Sequence, residues 1–436
     1  MIDRILAKLA TVRARGLQTF GSSAHRFQLA PPLSEEVVAA FEARHRVRLP
    51  ADFRAFLRQA GGWGAGPHYG LYQMSEWGAA LLDGRLVDLL DRPFLLTPDS
   101  TAADVQAIEE SGGEPYQGAI ALGTHGCSLY SLLVVTGPLA GRVVYVGLDW
   151  TPPYFVENSG FLDWYERWLD ELLAGYTSAN FGYGMPGMEA ELRRVAADRA
   201  SPRRADALQA LLRVPAPEAA TLSVALAAVD DAGAREAALR LLARHPPAQL
   251  PDAVVAALDD ESPAVRRAAL AVASHFPWDG VLRRALRDRA PEVVAEALRL
   301  GREILDEDEW VRALEHEAPV VRGAALSYAP ASERIARAMI ELPDDAAGYA
   351  LRRQVQANVA PPELLVRFQH RLQEALAVDP SRAPELVASM VAIVNSAHAD
   401  DETCALVVVF LRGARASPHA QVRQEADQAL TRLRAH

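Results

Sequence analysis

Cys127 and His125 are the side chains in this sequence that come nearest to a nucleophile with an adjacent base. A cysteine attacks its substrate as a thiolate, which a neighbouring imidazole can generate. Residues two apart in a strand need not present both side chains to one substrate, and the sequence offers no evident acid to orient the imidazole. We therefore expect Cys127 to be a buried thiol and not a catalytic one.

Other motifs of catalysis and metal binding are missing from the sequence. It contains no HExxH, CxxC or GxSxG motif, and Cys404, the second cysteine, lies far from the first. The acidic run at residues 306–309 is most simply a solvated helix start. We therefore predict neither an enzyme nor a bound metal or cofactor, and we expect both thiols to be reduced.

Residues 61–77, GGWGAGPHYGLYQMSEW, combine glycine with aromatic side chains. Glycine lets backbone amides approach an anion, but this loop has no Walker lysine, no GxGxxG spacing and no preceding strand. Trp63, His68, Tyr69 and Trp77 belong to residue types favoured at protein interfaces, although aromatic residues beside glycine are at least as often plain packing. A rigid loop that packs on a sheet, with some tips exposed, is the interpretation that we favour.

The elements that must position this loop centre on residues 118–173. Residues 129–135 and 142–148 are apolar and rich in β-branched side chains, and a glycine and proline turn joins them, which predicts an antiparallel strand pair. Ser159 can cap the helix that follows. The apolar stripe of that helix consists of Phe161, Trp164, Tyr165, Trp168, Leu169 and Leu172. Helices are also predicted at residues 2–15, 34–47, 51–60 and 101–110, with Ser34 as a cap.

Beyond residue 187 the sequence repeats itself. The phrases ESPAVRRAAL, RAPEVVAEAL and EAPVVRGAAL align with Pro263, Pro291 and Pro319 in register, which is a period of 28 residues. One helix pair of this length cannot bury its apolar side alone, so roughly eight pairs are expected to stack into an α-solenoid. The repeats resemble HEAT repeats, in which aspartate and arginine of neighbouring turns form a structural ladder. The residues that match this ladder are Asp259, Arg266 and Arg322.

The composition indicates a protein that stays in the cytoplasm. No window is apolar enough for a membrane span, and the first residues are punctuated by charge, unlike a secretory signal. The net charge of −11 suits a basic protein partner and does not suit nucleic acid, because nucleic-acid binding depends on displacing counterions with cationic side chains. Mere solubility is the alternative explanation of this charge.

The N-terminal half resembles the SUKH superfamily, which includes regulators of fungal cell-wall synthesis and many bacterial immunity proteins. The motifs that carry the resemblance are the LP step at 49–50, the aromatic step at 53–57, the GG loop at 61–62, the G-x-V turn at 141–143 and the FxxWxxxWL helix at 161–169. The resemblance implies an α+β domain that binds and does not catalyse. In bacteria such domains commonly neutralise a toxin, often a nuclease or deaminase, so it also implies an immunity role.

We thus predict an α+β domain at residues 1–175, with an antiparallel sheet flanked by helices, a linker at 176–187 and an all-α HEAT-like solenoid at 188–436. The expected function is binding and neutralising a toxin without catalysis. A scaffold or adaptor with a peptide in its solenoid groove is the alternative, and a nucleic-acid-acting enzyme is a third. We expect the partner to meet the exposed sheet edge and nearby loops. The predicted contact residues are Trp63, His68, Tyr69, Trp77, Asp149, Trp150, Tyr154 and Glu157.

Overall fold

The computed structural model describes residues 1–78, 85–148, 151–158, 160–341 and 401–433. The chain divides into two compact units, Met1–His245 and Pro246–His436. The sequence predicts a division at residues 176–187, ahead of the repeats. The first compact unit includes the α+β domain together with the first helices of the repeat region.

The first unit contains a four-stranded antiparallel sheet whose strands follow each other in chain order. Its strands are β1 (Ala119–Gly126), β2 (Leu129–Val134), β3 (Val143–Gly147) and β4 (Tyr154–Phe155). The predicted hairpin is confirmed, with Tyr130 of β2 opposite Val146 of β3. Gly137 and Gly141 in its turn have φ angles of 114° and 92°, which residues with a Cβ rarely adopt.

The helices around this sheet begin where the sequence predicts. They are α1 (Ile2–Ala14), α2 (Glu35–His45), α3 (Ala51–Gln59), α4 (Ala102–Glu110) and α5 (Phe161–Leu173), with short 3-10 turns at Ser22–Ala24, Met74–Glu76 and Leu86–Leu89. The Ser34 hydroxyl accepts a hydrogen bond from the amide of Val37 at 3.3 Å, and the Thr101 hydroxyl accepts one from Asp104 at 3.3 Å. These bonds satisfy amides at the helix starts that have no partner within the helix.

Both faces of the sheet are buried, which explains why its strands are apolar on both sides. Neighbouring side chains along a strand point to opposite faces. Ile120 and Leu133 lie in a core with residues of α1, α3 and α5. Leu132 and Val144 lie in a second core, together with Val105 of α4. The sheet is therefore the middle layer of the α+β domain.

Helix α5 is capped by a residue from another helix. Its N-cap is Gly160, whereas the predicted cap, Ser159, lies outside the described residues. A carboxylate oxygen of Asp52, in α3, accepts a hydrogen bond from the amide of Leu162 at 3.1 Å. A Cβ at position 160 would lie 2.5 Å from that carboxylate, so a larger residue there would displace the Asp52 carboxylate from its capping position.

The predicted linker at residues 176–187 is packed against the domain. Phe181 is 1% exposed and belongs to the core that includes α5. Arg213 donates hydrogen bonds to two backbone carbonyls of this segment, at 3.1 and 3.0 Å, and lies 3.4 Å from the carboxylate of Glu171. Glu171 also binds Arg167 at 2.8 Å, and all three of these charged side chains are buried. This triad ties the α+β domain to the first helix pairs.

A long run of helices follows, consistent with an all-α solenoid, and the predicted fold class is thereby confirmed. The first unit contains α6 (Glu189–Ala197), α7 (Arg204–Leu211), α8 (Ala219–Ala228) and α9 (Arg235–Arg244). The described helices of the second unit are α10 (Asp252–Ala257), α11 (Pro263–Ala273), α12 (Asp279–Ala285), α13 (Pro291–Leu300), α14 (Glu307–Leu314), α15 (Pro319–Tyr328), α16 (Glu333–Glu341), α17 (Asp401–Ala414) and α18 (Ala420–Leu433). The predicted total of eight pairs involves residues 342–400, which lie outside the described residues.

The repeat prolines occupy the first position of their helices. The backbone N–H of that position has no partner within the helix, so proline loses no hydrogen bond there. Pro263, Pro291 and Pro319 each begin a helix, as their register in the repeat implies. Of the predicted ladder residues, Arg266 binds Asp288 of the next repeat, whereas Asp259 forms a surface ion pair with Arg284. Arg322 donates a hydrogen bond to the carbonyl of His316 at 2.9 Å. These contacts fit a structural role.

Candidate partner-binding surface

Two loops of the first unit are hydrogen bonded to each other: residues 17–33, before α2, and residues 60–72, after α3. The amide of Ala30 donates to the carbonyl of Trp63 at 2.9 Å, and the amide of Ala65 donates to the carbonyl of Gln28 at 2.7 Å. We call these two segments the aromatic loops. The backbone contacts between them hold the aromatic side chains of the predicted site in place.

The second aromatic loop and the residues that follow it cover the outer edge of β1. The amide of Tyr72 donates to the carbonyl of Leu122 at 2.8 Å, and the amide of Ala121 donates to the carbonyl of Trp77 at 2.8 Å. A Cβ at Gly123 would lie 2.2 Å from the carbonyl oxygen of Gly70, so two backbones meet here. The expectation of an open sheet edge is wrong at β1, and β4, at the other edge, has only two residues.

The exposed phenylalanine, tryptophan and tyrosine side chains of the described residues all belong to these loops. Phe20 is 52% exposed, Trp63 is 47% exposed and Tyr69 is 42% exposed. The rings of Phe20 and Tyr69 meet edge to face, with centroids 5.5 Å apart. Trp63 and Tyr69 are among the contact residues predicted from the sequence. Phe20 is not, because it lies in a stretch without periodicity, and only its contact with Tyr69 in the folded protein shows that it belongs to this surface.

His68 and His125 form a buried pair beside Tyr69. Their exposed fractions are 6% and 8%, and their rings stack with centroids 4.0 Å apart. The Nε2 atom of His125 is 2.8 Å from the hydroxyl of Ser131. Burial lowers the pKa of His68 to about 4, and burial together with the nearby His68 lowers the pKa of His125 to about 3. Both imidazoles are therefore neutral at pH 7, and His68 supports the loop from inside.

The possible cysteine and histidine dyad does not form. Cys127 lies in the turn between β1 and β2 with a φ angle of 52°, and its side chain is exposed. The expectation of a buried thiol is thus wrong, because the residue lies at a tight turn and not within a strand. The His125 imidazole is buried against Ser131 instead, so it is not placed to activate the Cys127 thiol.

Trp77 is a core residue. It is 1% exposed, and its indole N–H donates to the carbonyl of Tyr72 at 3.2 Å. Its ring lies 4.9 Å from that of Phe41 and 5.5 Å from that of Phe53, measured between centroids. A partner could reach this indole only by opening the core, so Trp77 does not belong to a binding surface.

The remaining predicted contact residues do not join the aromatic loops. The Tyr154 hydroxyl accepts a hydrogen bond from the amide of Gly184 at 2.7 Å, and Glu157 forms an ion pair with Arg203 at 2.8 Å. Both side chains thus bind residues that follow α5. Asp149 and Trp150 lie outside the described residues.

Part of this surface lies in a segment that matches a known protein family. Residues 32–167 match the SMI1 / KNR4 family (SUKH-1). This segment is a SUKH domain. The match includes Trp63 and Tyr69 but not Phe20, and it ends within α5.

Comparisons of the whole chain with curated proteins and with solved structures do not extend this family assignment. No curated protein matches the chain. Among solved structures, two engineered proteins from the Northeast Structural Genomics Consortium each share 15% identity with it. One alignment covers 56% of this chain and 77% of the engineered protein, with a TM-score of 0.33. The other covers 57% and 96%, with a TM-score of 0.18.

Two further types of site are not seen in the described part of the chain. No three histidine, cysteine, aspartate or glutamate side chains gather there as a metal site would require. None of the helices described combines the length and the apolar character needed to cross a bilayer.

Proposed function

We propose that this protein is a non-enzymatic, cytoplasmic immunity protein that binds and neutralises a toxin through Phe20, Trp63 and Tyr69 of the aromatic loops. The observation that carries this proposal is the exposure of these three rings on loops whose backbones are held by hydrogen bonds. The SUKH domain supports it, because the SUKH family is associated with immunity proteins.

The physical properties of this surface suit protein binding. Tryptophan and tyrosine present a large area with few rotatable bonds, so little conformational entropy is lost when a partner covers them. The loops are supported from inside by the His68 and His125 pair, and so they are organised before a partner arrives. The net charge of −11 favours association with a basic partner, because long-range attraction raises the rate of encounter.

The first experiment tests protection. The gene is deleted from its host, and the cells are challenged with each toxin that is encoded beside it. We expect one toxin to kill the deletion strain and the wild-type gene to restore survival. If the deletion strain survives every neighbouring toxin, the immunity function is wrong and the adaptor role replaces it.

Matched variants then test the surface itself with the purified toxin domain. We expect the double variant Trp63→Ala, Tyr69→Ala to bind at least about thirtyfold more weakly than the wild type, because one aromatic hot spot carries about 2 kcal/mol or more. The control is Val37→Ala in α2, which removes an apolar side chain that is 46% exposed outside these loops. Unchanged affinity of the double variant would place the binding site elsewhere.

A further inference from the structure

The repeats of the second unit contain one step at which the ladder of charged residues is broken. Asp260, Asp288 and His316 occupy the same position in successive repeats of 28 residues. Each accepts a hydrogen bond from the backbone amide two residues later, at 2.8, 2.8 and 3.0 Å. His316 thus keeps the role of the aspartates in forming the turn, but it carries no carboxylate.

The partner position in the ladder changes at the same step. Arg266, Val294 and Arg322 are equivalent residues of successive repeats. Arg266 donates two hydrogen bonds to the carboxylate of Asp288, at 2.8 and 2.6 Å. At the next step Val294 stands where the arginine would be and His316 where the aspartate would be, so no ion pair can link these two repeats there.

A groove of about 520 Å³ lies at this broken step, between α12 and α14. Val294 and His316 both line it, together with Leu286, Ala313 and Val321. Leu286 is the partly exposed apolar residue of this lining, whereas Val294, Ala313 and Val321 are buried beneath it. At the intact step one repeat earlier the groove is smaller, about 370 Å³, and it is lined by the bound pair of Arg266 and Asp288. The change of two residues therefore coincides with a larger and more apolar groove.

Cationic groups without acidic partners stand in this groove. Arg287 and Arg312 line it, both are exposed, and neither forms an ion pair within the described residues. The Nδ1 atom of His316 accepts a hydrogen bond from the amide of Ala318, so its Nε2 is the nitrogen left to donate. The one carboxylate in the lining, that of Glu309, already binds Arg283 at 3.0 Å and the amide of Asp306 at 3.0 Å.

We infer that this groove binds a short acidic segment of a protein partner. The carboxylates of the segment pair with Arg287 and Arg312, and the Nε2–H group of His316 supplies a further hydrogen bond. An apolar side chain of the same segment packs on the partly exposed Leu286. Arginine clusters recognise carboxylates through paired hydrogen bonds, and the apolar floor favours a peptide over a bare anion.

The surroundings of the groove also favour a short peptide over nucleic acid. Asp306 and Glu307, at the start of α14, are exposed carboxylates that would repel a continuous polyanion. A short segment can end before it reaches them. This inference concerns the second unit and does not depend on the aromatic loops or on the proposed immunity function.

The test uses the full chain and a fluorescently labelled peptide of alternating glutamate and leucine, with binding followed by anisotropy. We expect the double variant Arg287→Glu, Arg312→Glu to bind the peptide at least about tenfold more weakly than the wild type. The matched control is Arg302→Glu, which reverses an exposed charge outside the groove lining and should change the affinity less than about twofold.

A second variant restores the ladder. The double change Val294→Arg, His316→Asp recreates the pair formed by Arg266 and Asp288, and we expect it to abolish peptide binding while the helices remain folded by circular dichroism. The inference is overturned if the wild type does not bind the peptide, or if Arg302→Glu weakens binding as much as the groove variant. It is also overturned if a lysine and leucine peptide binds equally well, or if inorganic phosphate or a single-stranded oligonucleotide binds more tightly.

Discussion

The imidazole ring of His125 stacks on that of His68, with the ring centroids 4.0 Å apart. The contact joins β1 to the second aromatic loop, and both rings are almost completely buried. Protonation of either ring would place a charge in the core beside the other ring. The loop that carries Tyr69 is therefore packed on a pair of groups that must remain neutral.

Acid is expected to weaken this part of the domain. The pKa of His68 is about 4 and that of His125 is about 3 in the folded protein, whereas both return to about 6.5 in the unfolded chain. Below pH 6.5 the unfolded chain takes up protons that the folded chain does not. Stability is therefore fully present above about pH 6.5 and declines as the pH falls towards 4, by up to about 1.4 kcal/mol per pH unit for each histidine.

Hydrogen exchange of peptides from β1 and the second aromatic loop, at pH 7 and pH 5, measures this decline after correction for the intrinsic rates. His68→Phe keeps an aromatic ring without a titrating group and should reduce the loss of protection. His419→Gln, at an exposed histidine of the second unit, is the control and should leave the loss unchanged. Equal pH dependence in the wild type and in His68→Phe would show that the pair does not control stability.

The triad of Arg167, Glu171 and Arg213 predicts a large loss of stability from one substitution. Glu171→Ala leaves two guanidinium groups buried without a carboxylate, and burial already lowers the pKa of Arg213. Removing one partner of a buried ion pair costs about 3–5 kcal/mol, which corresponds to a fall in Tm on the order of 10 °C. Calorimetry of the full chain measures the shift.

The control for this substitution is an exposed ion pair in the same unit. Glu236 binds Arg240 at 3.2 Å in α9, and both side chains are about 40% exposed. Glu236→Ala should change the stability by less than about 1 kcal/mol, because water screens such pairs. If Glu171→Ala lowers the Tm no more than this control, the triad does not hold the unit together.

Trp63 and Trp77 are expected to respond in opposite ways. Trp77→Ala empties a space beside Phe41 and Phe53 and should cost about 3–5 kcal/mol of unfolding free energy. Trp63→Ala should change the unfolding free energy by less than about 1 kcal/mol, because 47% of that residue already meets solvent. Denaturant unfolding followed by circular dichroism compares the two, and a comparable loss in both variants would contradict the assignment of Trp63 to the surface.

The local elements of the fold could be predicted because they depend on interactions between neighbours in sequence. The β2 and β3 hairpin follows from two apolar runs around a glycine turn, and the cap at Ser34 needs only the amide of Val37. The stripe of α5 and the 28-residue repeat are likewise periodic patterns. These patterns, together with the LP and GG steps, were enough to indicate the SUKH domain and the helical region after it.

Exposure could not be predicted, because it depends on segments that are distant in sequence. Trp63 and Trp77 are both tryptophans of the segment 61–77. Only contact with Phe41 and Phe53 makes Trp77 a core residue. The amide of Leu162 finds its acceptor in Asp52, a residue of another helix, and Phe20 becomes part of a surface only because Tyr69 lies beside it. The sequence by itself determined which elements form. Tertiary structure alone decided which of their side chains a partner can reach, since burial is set by contacts made across the fold.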